Sequence, residues 1–265
     1  MSLDINLFQQ EKFQKVLDIL KCKDKKFIII DGVISAGKTT LIKLIENYIN
    51  EDENIDKDKD IDNITEIIAV ENTDIKLKKR LIAKAIYEPV DLWTSTGALK
   101  YFYEDIAKNC YEFQTYTYIT RIASVIDEIY NNPDADIYIL ERSIWTDRYV
   151  FMELLKDLVG DLRMNMYNQW CDLWSYIMPM RVDKWVLLDT SLEESLRRIK
   201  LRNRNAEDNI TPEYQTNLYN KHIEFYYKLQ KEGKSIVVIK NNLMDANFIT
   251  NKDILKNIIN QIITL

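Results

Sequence analysis

Two glycines and a lysine near the start of the chain have the spacing of a phosphate-binding loop. Residues 32–39 read GVISAGKT, which fits the pattern G-x-x-x-x-G-K-[ST]. The loop follows the apolar run 27–31 and opens an apolar-periodic stretch over 39–49, so a strand, a loop and a helix are expected in that order. The glycines would let the backbone wrap around phosphate, and the helix N-terminus would attract the anion. Lys38 would reach the β- and γ-phosphate oxygens, and the Thr39 hydroxyl could ligate Mg²⁺.

Two glutamates stand at the ends of predicted strands. Glu88 and Pro89 follow a short run at 84–87, and Glu141 ends the run IYILE at 137–141. The carboxyl ends of parallel strands are where α/β proteins bind ligands. Glu88 is therefore a candidate general base for a hydroxyl nucleophile. A charge such as Glu141 at the end of a buried strand is costly unless it is paired or near a metal. Taken alone, Glu88 would more often be a surface glutamate.

Arginines follow in two groups. Arg142 and Arg148 lie just after the second glutamate and could hold phosphate or carboxylate by forked hydrogen bonds, although a structural ion-pair cluster is the alternative. Arg198 and Arg202 are one helical turn apart on one face, and Arg204 follows them. The absence of interspersed acids suggests a phosphate clamp over a donor, with an ordinary solvated helix as the equal alternative.

An aromatic stretch over 101–118 ends at Arg121. Such a stripe is more often core than pocket. However, Gln114 and Arg121 lie seven residues apart on one helical face among aromatic rings. This arrangement suits a slot in which a flat base stacks while its edge is hydrogen-bonded.

Together these motifs resemble the deoxyribonucleoside kinase family, in particular its deoxycytidine/deoxyguanosine kinase group. The resemblance extends from about residue 26 to about residue 226. It is carried by GVISAGKTT, EPVDLW, FQTY with the arginine five residues after it, ERSIWTDRYVF and RRIKLRNRNAED. It implies an α/β P-loop kinase fold, with a five-stranded parallel sheet, helices on both faces and an arginine-rich lid. It also implies ATP as phosphate donor, Mg²⁺, a deoxynucleoside substrate and a homodimer, in nucleotide salvage.

The resemblance assigns roles to individual residues. Glu88 would be the base for the sugar 5′-hydroxyl, with Arg142 as its support and Lys38 on the transferring phosphate. The residues implied in donor binding are Gly32, Ser35, Ala36, Gly37, Lys38, Thr39, Thr40, Arg198, Arg202 and Arg204. The residues implied in substrate binding are Trp93, Tyr103, Phe113, Gln114, Arg121, Asp147 and Glu207. Of these, Gln114, Arg121 and Asp147 would read the base. Thr39 and Glu141 would organise Mg²⁺.

The sequence departs from the family pattern at three places. Val33 replaces the asparagine that is usual after the first loop glycine. Ala206 replaces an acid beside Glu207. The segment 51–82, which begins EDENIDKDKDID, looks like an acidic loop insertion of open role.

The wider pattern alternates strands with helices, which indicates a parallel sheet covered on both faces. Strands are expected at 27–31, 84–87, 137–141, 184–188 and 235–239. Helices are expected at 39–49, 97–130, 147–159, 162–178, 192–204, 212–231 and 251–263. We expect a single domain over 1–265.

Composition excludes several classes of protein. The 265 residues carry a formal charge of −6, which argues against a nucleic-acid-coating protein. There is no apolar run long enough to span a membrane and no visible secretory signal, so a cytoplasmic protein is expected. Three widely spaced cysteines give no disulfide framework. His222 is the single histidine, which excludes a multi-histidine metal site.

Two other functions stay open at this stage. A nucleoside monophosphate kinase of the thymidylate kinase type shares the loop and the lid, but its anionic acceptor needs no base. A non-catalytic P-loop module would bind nucleotide as a switch or scaffold.

Overall fold

A computed structural model describes residues 10–50, 81–202, 210–241 and 248–263. Five strands form one sheet: β1 Lys26–Asp31, β2 Ala83–Ile86, β3 Ile137–Glu141, β4 Lys184–Asp189 and β5 Ile236–Lys240. Their spatial order is β2-β3-β1-β4-β5, and every neighbouring pair is parallel. The expected five-stranded parallel sheet of the P-loop kinase fold is confirmed. The strand that enters the phosphate-binding loop lies at its centre.

The helices between the strands are numbered in chain order. They are α1 Gln10–Lys21, α2 Lys38–Asn50, α3 Val90–Ser95, α4 Ala98–Glu104, α5 Ile106–Asn131, α6 Ile144–Thr146, α7 Lys156–Val159, α8 Asp161–Ile177, α9 Leu192–Arg202, α10 Pro212–Lys231 and α11 Lys252–Ile263. A π-helical segment, Asp147–Met152, follows α6.

Side chains that alternate along β1 divide the core into two layers. Phe27 and Ile29 belong to an apolar cluster with α1, α5 and α10. Ile28 and Ile30 belong to a second cluster with α2 and α11. A strand that is buried on both faces must be apolar at successive positions, which explains the uninterrupted run at 27–30. Helices therefore cover both faces of the sheet, as expected.

Three local features differ from the sequence-based expectations. The helix expected at 97–130 is two helices, because Asp105 breaks it and its carboxylate caps α5 by accepting the Lys108 N–H at 3.1 Å. The helix expected at 147–159 is the π-helical segment followed by the short α7. Helix α1 was not expected from the sequence.

Some predictions fall outside the described residues. These are the predictions for most of the acidic insertion, for Arg204 and for Glu207. The single-domain organisation stays a prediction. Among the described residues, no helix is both long and apolar enough to cross a membrane, and the compartment stays a prediction.

Candidate active site

The phosphate-binding loop lies tightly against the neighbouring strand β4. Gly32 has a φ of +150°, and a Cβ built on it would lie 2.7 Å from the Leu188 carbonyl oxygen. Ser35 has a φ of 59°, and α2 begins three residues later at Lys38. The loop therefore has the strand-loop-helix geometry that the sequence predicted, and its first position has no space for a side chain.

Several donors in and beside this loop are suited to an anion. Lys38 Nζ donates to the carbonyl oxygens of Gly32 and Val33 at 3.3 and 3.0 Å. Burial, together with the nearby Arg142 charge, lowers the pKa of Lys38 to about 8. Ser35 Oγ and Arg142 Nε are buried without a partner among the described residues. Buried polar groups without partners are rare, and phosphate oxygens would satisfy these.

Glu141 and Thr39 meet at the end of β3. The Thr39 hydroxyl donates to Glu141 Oε1 at 2.8 Å, with Oε2 at 3.0 Å. Burial, reinforced by the charge of Glu88, raises the pKa of Glu141. The separation matches adjacent ligands of an octahedral Mg²⁺, which are about 3 Å apart when each bond is about 2.1 Å long.

The described residues contain no cluster of three or more histidines, cysteines or carboxylates that could hold a metal ion. Mg²⁺ does not need one, since it takes one or two carboxylates together with waters and phosphate oxygens. The Thr39 and Glu141 pair therefore fits a Mg²⁺ shared with a phosphorylated donor.

Glu88 lies between two arginines. Arg121 Nη2 donates to Oε1 at 2.8 Å, and Arg142 Nη1 donates to Oε1 and Oε2 at 3.1 and 3.0 Å. Burial alone would raise the pKa of Glu88, but Arg142 and Arg121 outweigh it and lower the pKa to about 2. The carboxylate is therefore ionised at neutral pH, and it can only accept hydrogen bonds.

Arg121 joins this carboxylate to Asp147. Its Nε and Nη2 bind the two Asp147 oxygens at 2.7 and 3.0 Å, and its Nη1 donates to the Glu141 carbonyl at 2.9 Å. Burial raises the pKa of Asp147, while Arg121 opposes that shift. Arg121, Glu88 and Asp147 are each less than a tenth exposed, and so is Arg142, whose charge balances the second carboxylate. The four side chains therefore form a buried, charge-balanced network.

Aromatic side chains from α3, α4 and α5 form a slot beside this network. The rings of Phe113 and Phe102 stack with centroids 4.5 Å apart, and Trp93 meets Phe113 edge-on at 6.0 Å. Trp93 Nε1 donates to Thr120 Oγ1 at 2.9 Å, which fixes the indole. Gln114 is buried in the wall of the same slot.

One cavity of about 660 Å³ connects the loop to the slot. The predicted site residues that line it are Ser35, Gly37, Lys38, Thr39, Thr40, Glu88, Trp93, Tyr103, Phe113, Gln114, Arg121, Glu141, Arg142, Asp147, Arg198 and Arg202. Gly32 and Ala36 belong to the loop but do not line the cavity. Within the described part of the chain, the structure thus brings the predicted donor-binding and substrate-binding residues together around one cavity.

Of the predicted arginine clamp, the structure describes Arg198 and Arg202, both in the carboxyl-terminal half of α9. Arg198 Nη1 donates to the Ala36 carbonyl at 2.9 Å, and Glu194 holds its Nε. The lid arginine therefore reaches the phosphate-binding loop itself.

Arg148 forms a structural ion pair, which is the alternative named for it in the sequence analysis, and it does not hold an anion in the cavity. Its Nε donates to Asn168 Oδ1 at 3.0 Å and its Nη1 to Asp172 Oδ1 at 2.7 Å, both on α8. Arg148 does not line the cavity, because its position turns it towards that helix instead.

Sequence reasoning missed several residues of the cavity wall, among them Tyr87, Phe151 and Tyr214. The Phe151 ring centroid lies 4.7 Å from the Arg142 guanidinium carbon, so the ring packs against the face of that guanidinium in a cation–π contact. Phe151 ends the ERSIWTDRYVF motif, which could have indicated it. Tyr214 lies in the first turn of α10, and no sequence signal marked it.

A central phosphate-binding loop, a parallel five-stranded sheet and an ionised glutamate facing that loop across one cavity define a P-loop kinase. The chain belongs to the deoxynucleoside kinase family, whose sequence profile matches residues 67–265. It is therefore a phosphotransferase that acts on deoxynucleosides and takes its phosphoryl group from a nucleoside triphosphate. The matched range starts after the phosphate-binding loop, so the loop assignment depends on its own geometry.

Individual relatives agree with the family. A probable deoxycytidine kinase of Fowlpox virus is 26% identical over 227 residues, which are 84% of this chain and 81% of the relative. A deoxyadenosine kinase of Dictyostelium discoideum is 30% identical over 217 residues, covering 81% and 71%. Human deoxycytidine kinase is 24% identical over 204 residues, covering 74% of each chain.

Proposed function

We propose that this protein uses ATP and Mg²⁺ to phosphorylate the 5′-hydroxyl of deoxycytidine and purine deoxynucleosides in preference to thymidine. The observation that carries the proposal is the position of Glu88. Its ionised carboxylate lies between Arg121 and Arg142, on a cavity that also reaches Lys38. A hydroxyl acceptor needs such a base, whereas a phosphate acceptor does not.

The transfer itself would need alignment and charge compensation more than covalent chemistry. Glu88 would take the proton of the 5′-hydroxyl as the hydroxyl oxygen bonds to the γ-phosphorus. The bond from that phosphorus to the β,γ-bridging oxygen would break at the same time, and ADP would leave. Arg142 would hold that carboxylate in place, and Lys38, Arg198 and Arg202 would compensate charge on the donor phosphates. Bound Mg²⁺, held by Thr39 and Glu141, would neutralise phosphate charge.

Base choice would depend on the polar end of the slot. Arg121 Nε and Nη2 both donate to the Asp147 carboxylate, which therefore presents only acceptor oxygens. Cytosine and adenine offer an amino group there, whereas thymine offers a carbonyl oxygen and an additional methyl group. Sites that match buried polar groups in this way can reject a mismatch by about 10⁴-fold. Deoxycytidine and deoxyadenosine kinases among the relatives support this preference.

The first experiment measures ADP release with a panel of deoxynucleosides and nucleoside monophosphates. Turnover should occur with deoxycytidine and purine deoxynucleosides and be weak with thymidine. Turnover with monophosphates alone would replace this proposal with a monophosphate kinase, and the absence of any turnover would indicate a binding module.

The second experiment changes the proposed base. Glu88→Gln keeps the size and one acceptor oxygen but cannot take a proton, so kcat should fall by about 10²- to 10⁴-fold while KM for the nucleoside changes little. Glu46→Gln is the matched control. Glu46 bonds the Ala85 N–H at 2.8 Å and does not line the cavity, so that variant should retain kcat. A Glu88→Gln enzyme with full kcat would exclude Glu88 as the general base.

We also infer that two copies associate through α8. Five exposed apolar side chains recur on one face of this helix: Leu162, Met166, Trp170, Leu173 and Tyr176. Contiguous apolar patches of this kind mark protein interfaces. We take the partner to be a second copy of the chain, because the same apolar helix face on two copies can pack against itself about a two-fold axis.

A further inference from the structure

The end of β1 carries a buried carboxylate that the sequence motifs do not include. Asp31 directly precedes Gly32 and is fully buried. Thr146 Oγ1 lies 2.9 and 3.0 Å from its two oxygens, and the Tyr226 hydroxyl lies 3.2 Å from Oδ2. Burial raises the pKa of Asp31 to about 6, and Arg142 and Thr146 oppose that shift. In the described ranges no lysine or arginine nitrogen pairs with this carboxylate within 4 Å. A buried charge without an ion-pair partner is costly to keep.

The hydroxyl that binds Asp31 also closes the turn between Arg142 and Asp147. Thr146 Oγ1 accepts the Ser143 N–H at 3.2 Å and lies 2.9 Å from Ser143 Oγ. Ser143 Oγ in turn accepts the Thr146 N–H at 3.1 Å. A hydroxyl has one proton and two lone pairs. When ionised Asp31 accepts the proton of Thr146, both lone pairs are left for Ser143, and the turn is fully hydrogen-bonded.

Ile30, Asp31 and Gly32, at the junction of β1 and the loop, thus all bind the segment 142–147. The Ile30 carbonyl accepts the Arg142 N–H at 3.0 Å, and the Gly32 carbonyl accepts Arg142 Nη2 at 3.0 Å. Asp31, between them, holds Thr146. Arg142 has a φ of 61°, a conformation that persists in a non-glycine residue only where the surroundings enforce it.

We propose that Asp31 is a positioning residue which, through Thr146, fixes the 142–147 segment against the phosphate-binding loop. That segment carries Arg142, which binds the proposed base, and Asp147, which faces the nucleobase. Asp31 therefore sets the alignment between the acceptor hydroxyl and the donor phosphate. The inference depends on the 5′-hydroxyl kinase activity proposed above.

The test compares kcat and KM among variants of the contact. Thr146→Val keeps the branched shape and removes the hydroxyl. A misplacement of about 1 Å can cost about 10²-fold in rate, so kcat should fall by about 10- to 100-fold. KM for ATP should remain nearly unchanged, because the loop and Lys38 are untouched. Thr146→Ser restores the hydroxyl and should restore most of kcat.

Asp31→Asn separates hydrogen bonding from charge. The amide oxygen still accepts from Thr146, and the amide N–H₂ can donate to Tyr226. The Tyr226 proton can then go to the Val186 carbonyl, which is 2.9 Å away. This variant should therefore keep most of the wild-type kcat even if Thr146→Val does not fold.

Asp136→Ala is the stability-matched control. Asp136 is also a buried carboxylate, and it accepts the Ile82 N–H at 3.0 Å at the amino end of β3, the opposite edge of the sheet from the site. It should lower the thermal midpoint and leave kcat unchanged. The inference is overturned if Thr146→Val loses no more kcat than this control, if Thr146→Ser does not restore it, or if Asp31→Asn loses kcat. A wild-type enzyme that phosphorylates no deoxynucleoside would instead overturn the proposed function before any variant is compared.

Discussion

Arg121 serves two carboxylates at once. The resemblance placed Arg121 beside Asp147 among the residues that would read the nucleobase, but it did not indicate the 2.8 Å hydrogen bond from Arg121 to Glu88. Partner choice among buried charges depends on distances set by tertiary packing, and residue types and spacing do not encode those distances. Recognition of the nucleobase and the proposed proton transfer to Glu88 therefore both depend on the Arg121 guanidinium.

Because Arg121 binds both Asp147 and Glu88, substitutions that enlarge the nucleobase slot should also affect Glu88. Arg121→Met with Asp147→Ala removes the facing acceptor and makes room for a methyl group, so thymidine phosphorylation should rise relative to that of deoxycytidine. Both changes are needed because removing one partner leaves the other charge buried and unpaired. Since Glu88 also loses a hydrogen bond, kcat with deoxycytidine should fall. Steady-state kinetics with both nucleosides measure the ratio.

A natural control for this prediction is the wild-type enzyme with thymidine. If it already phosphorylates thymidine as well as deoxycytidine, the interpretation of Asp147 as a discriminating acceptor is wrong, while the kinase family is unaffected.

At the scale of elements, the strands were predictable and the irregular helices were not. The apolar runs at 27–31 and 137–141 have no helical period, and both form strands of the sheet. Aromatic residues recur on both sides of Asp105 in the region 97–130, so the sequence pattern did not reveal the break at that residue. The π-helical segment at 147–152 has no sequence signature, although such segments recur at functional sites.

The close approach of the loop to β4 gives a prediction at this scale. Gly32→Ala places a Cβ against the Leu188 carbonyl, so it should destabilise the protein by about 1–3 kcal/mol. It should also raise KM for ATP, because the loop must shift to make room. Chemical denaturation and steady-state kinetics measure the two effects.

Gly233→Ala is the control for backbone strain alone. Gly233 also has a positive φ, of 70°, but a Cβ there meets nothing within 4 Å. It should destabilise the protein without changing KM for ATP. Equal effects of the two substitutions on KM for ATP would show that general destabilisation, rather than contact of the loop with β4, raises KM.

At the scale of the whole molecule, the exposed face of α8 predicts the assembly. Leu162→Lys combined with Trp170→Lys should convert a dimer to a monomer, because each lysine would have to be desolvated at the interface. Light scattering during gel filtration measures the mass. Ile223→Lys, an exposed apolar residue on α10, should leave the mass unchanged. A wild-type chain that elutes as a monomer would refute the interface.

The position of His222 gives the molecule one further property. Burial, together with the Arg142 charge, lowers the pKa of this imidazole to about 3, so it stays neutral throughout the physiological range. Its ring meets Phe151 edge-on at 6.1 Å, and Phe151 lies beneath Arg142. Because the chain has one histidine, its proton NMR spectrum contains a single imidazole environment. The protein therefore has a magnetic resonance probe in contact with the cavity wall, and its signal should shift when a nucleoside binds against Phe151, without interference from titration.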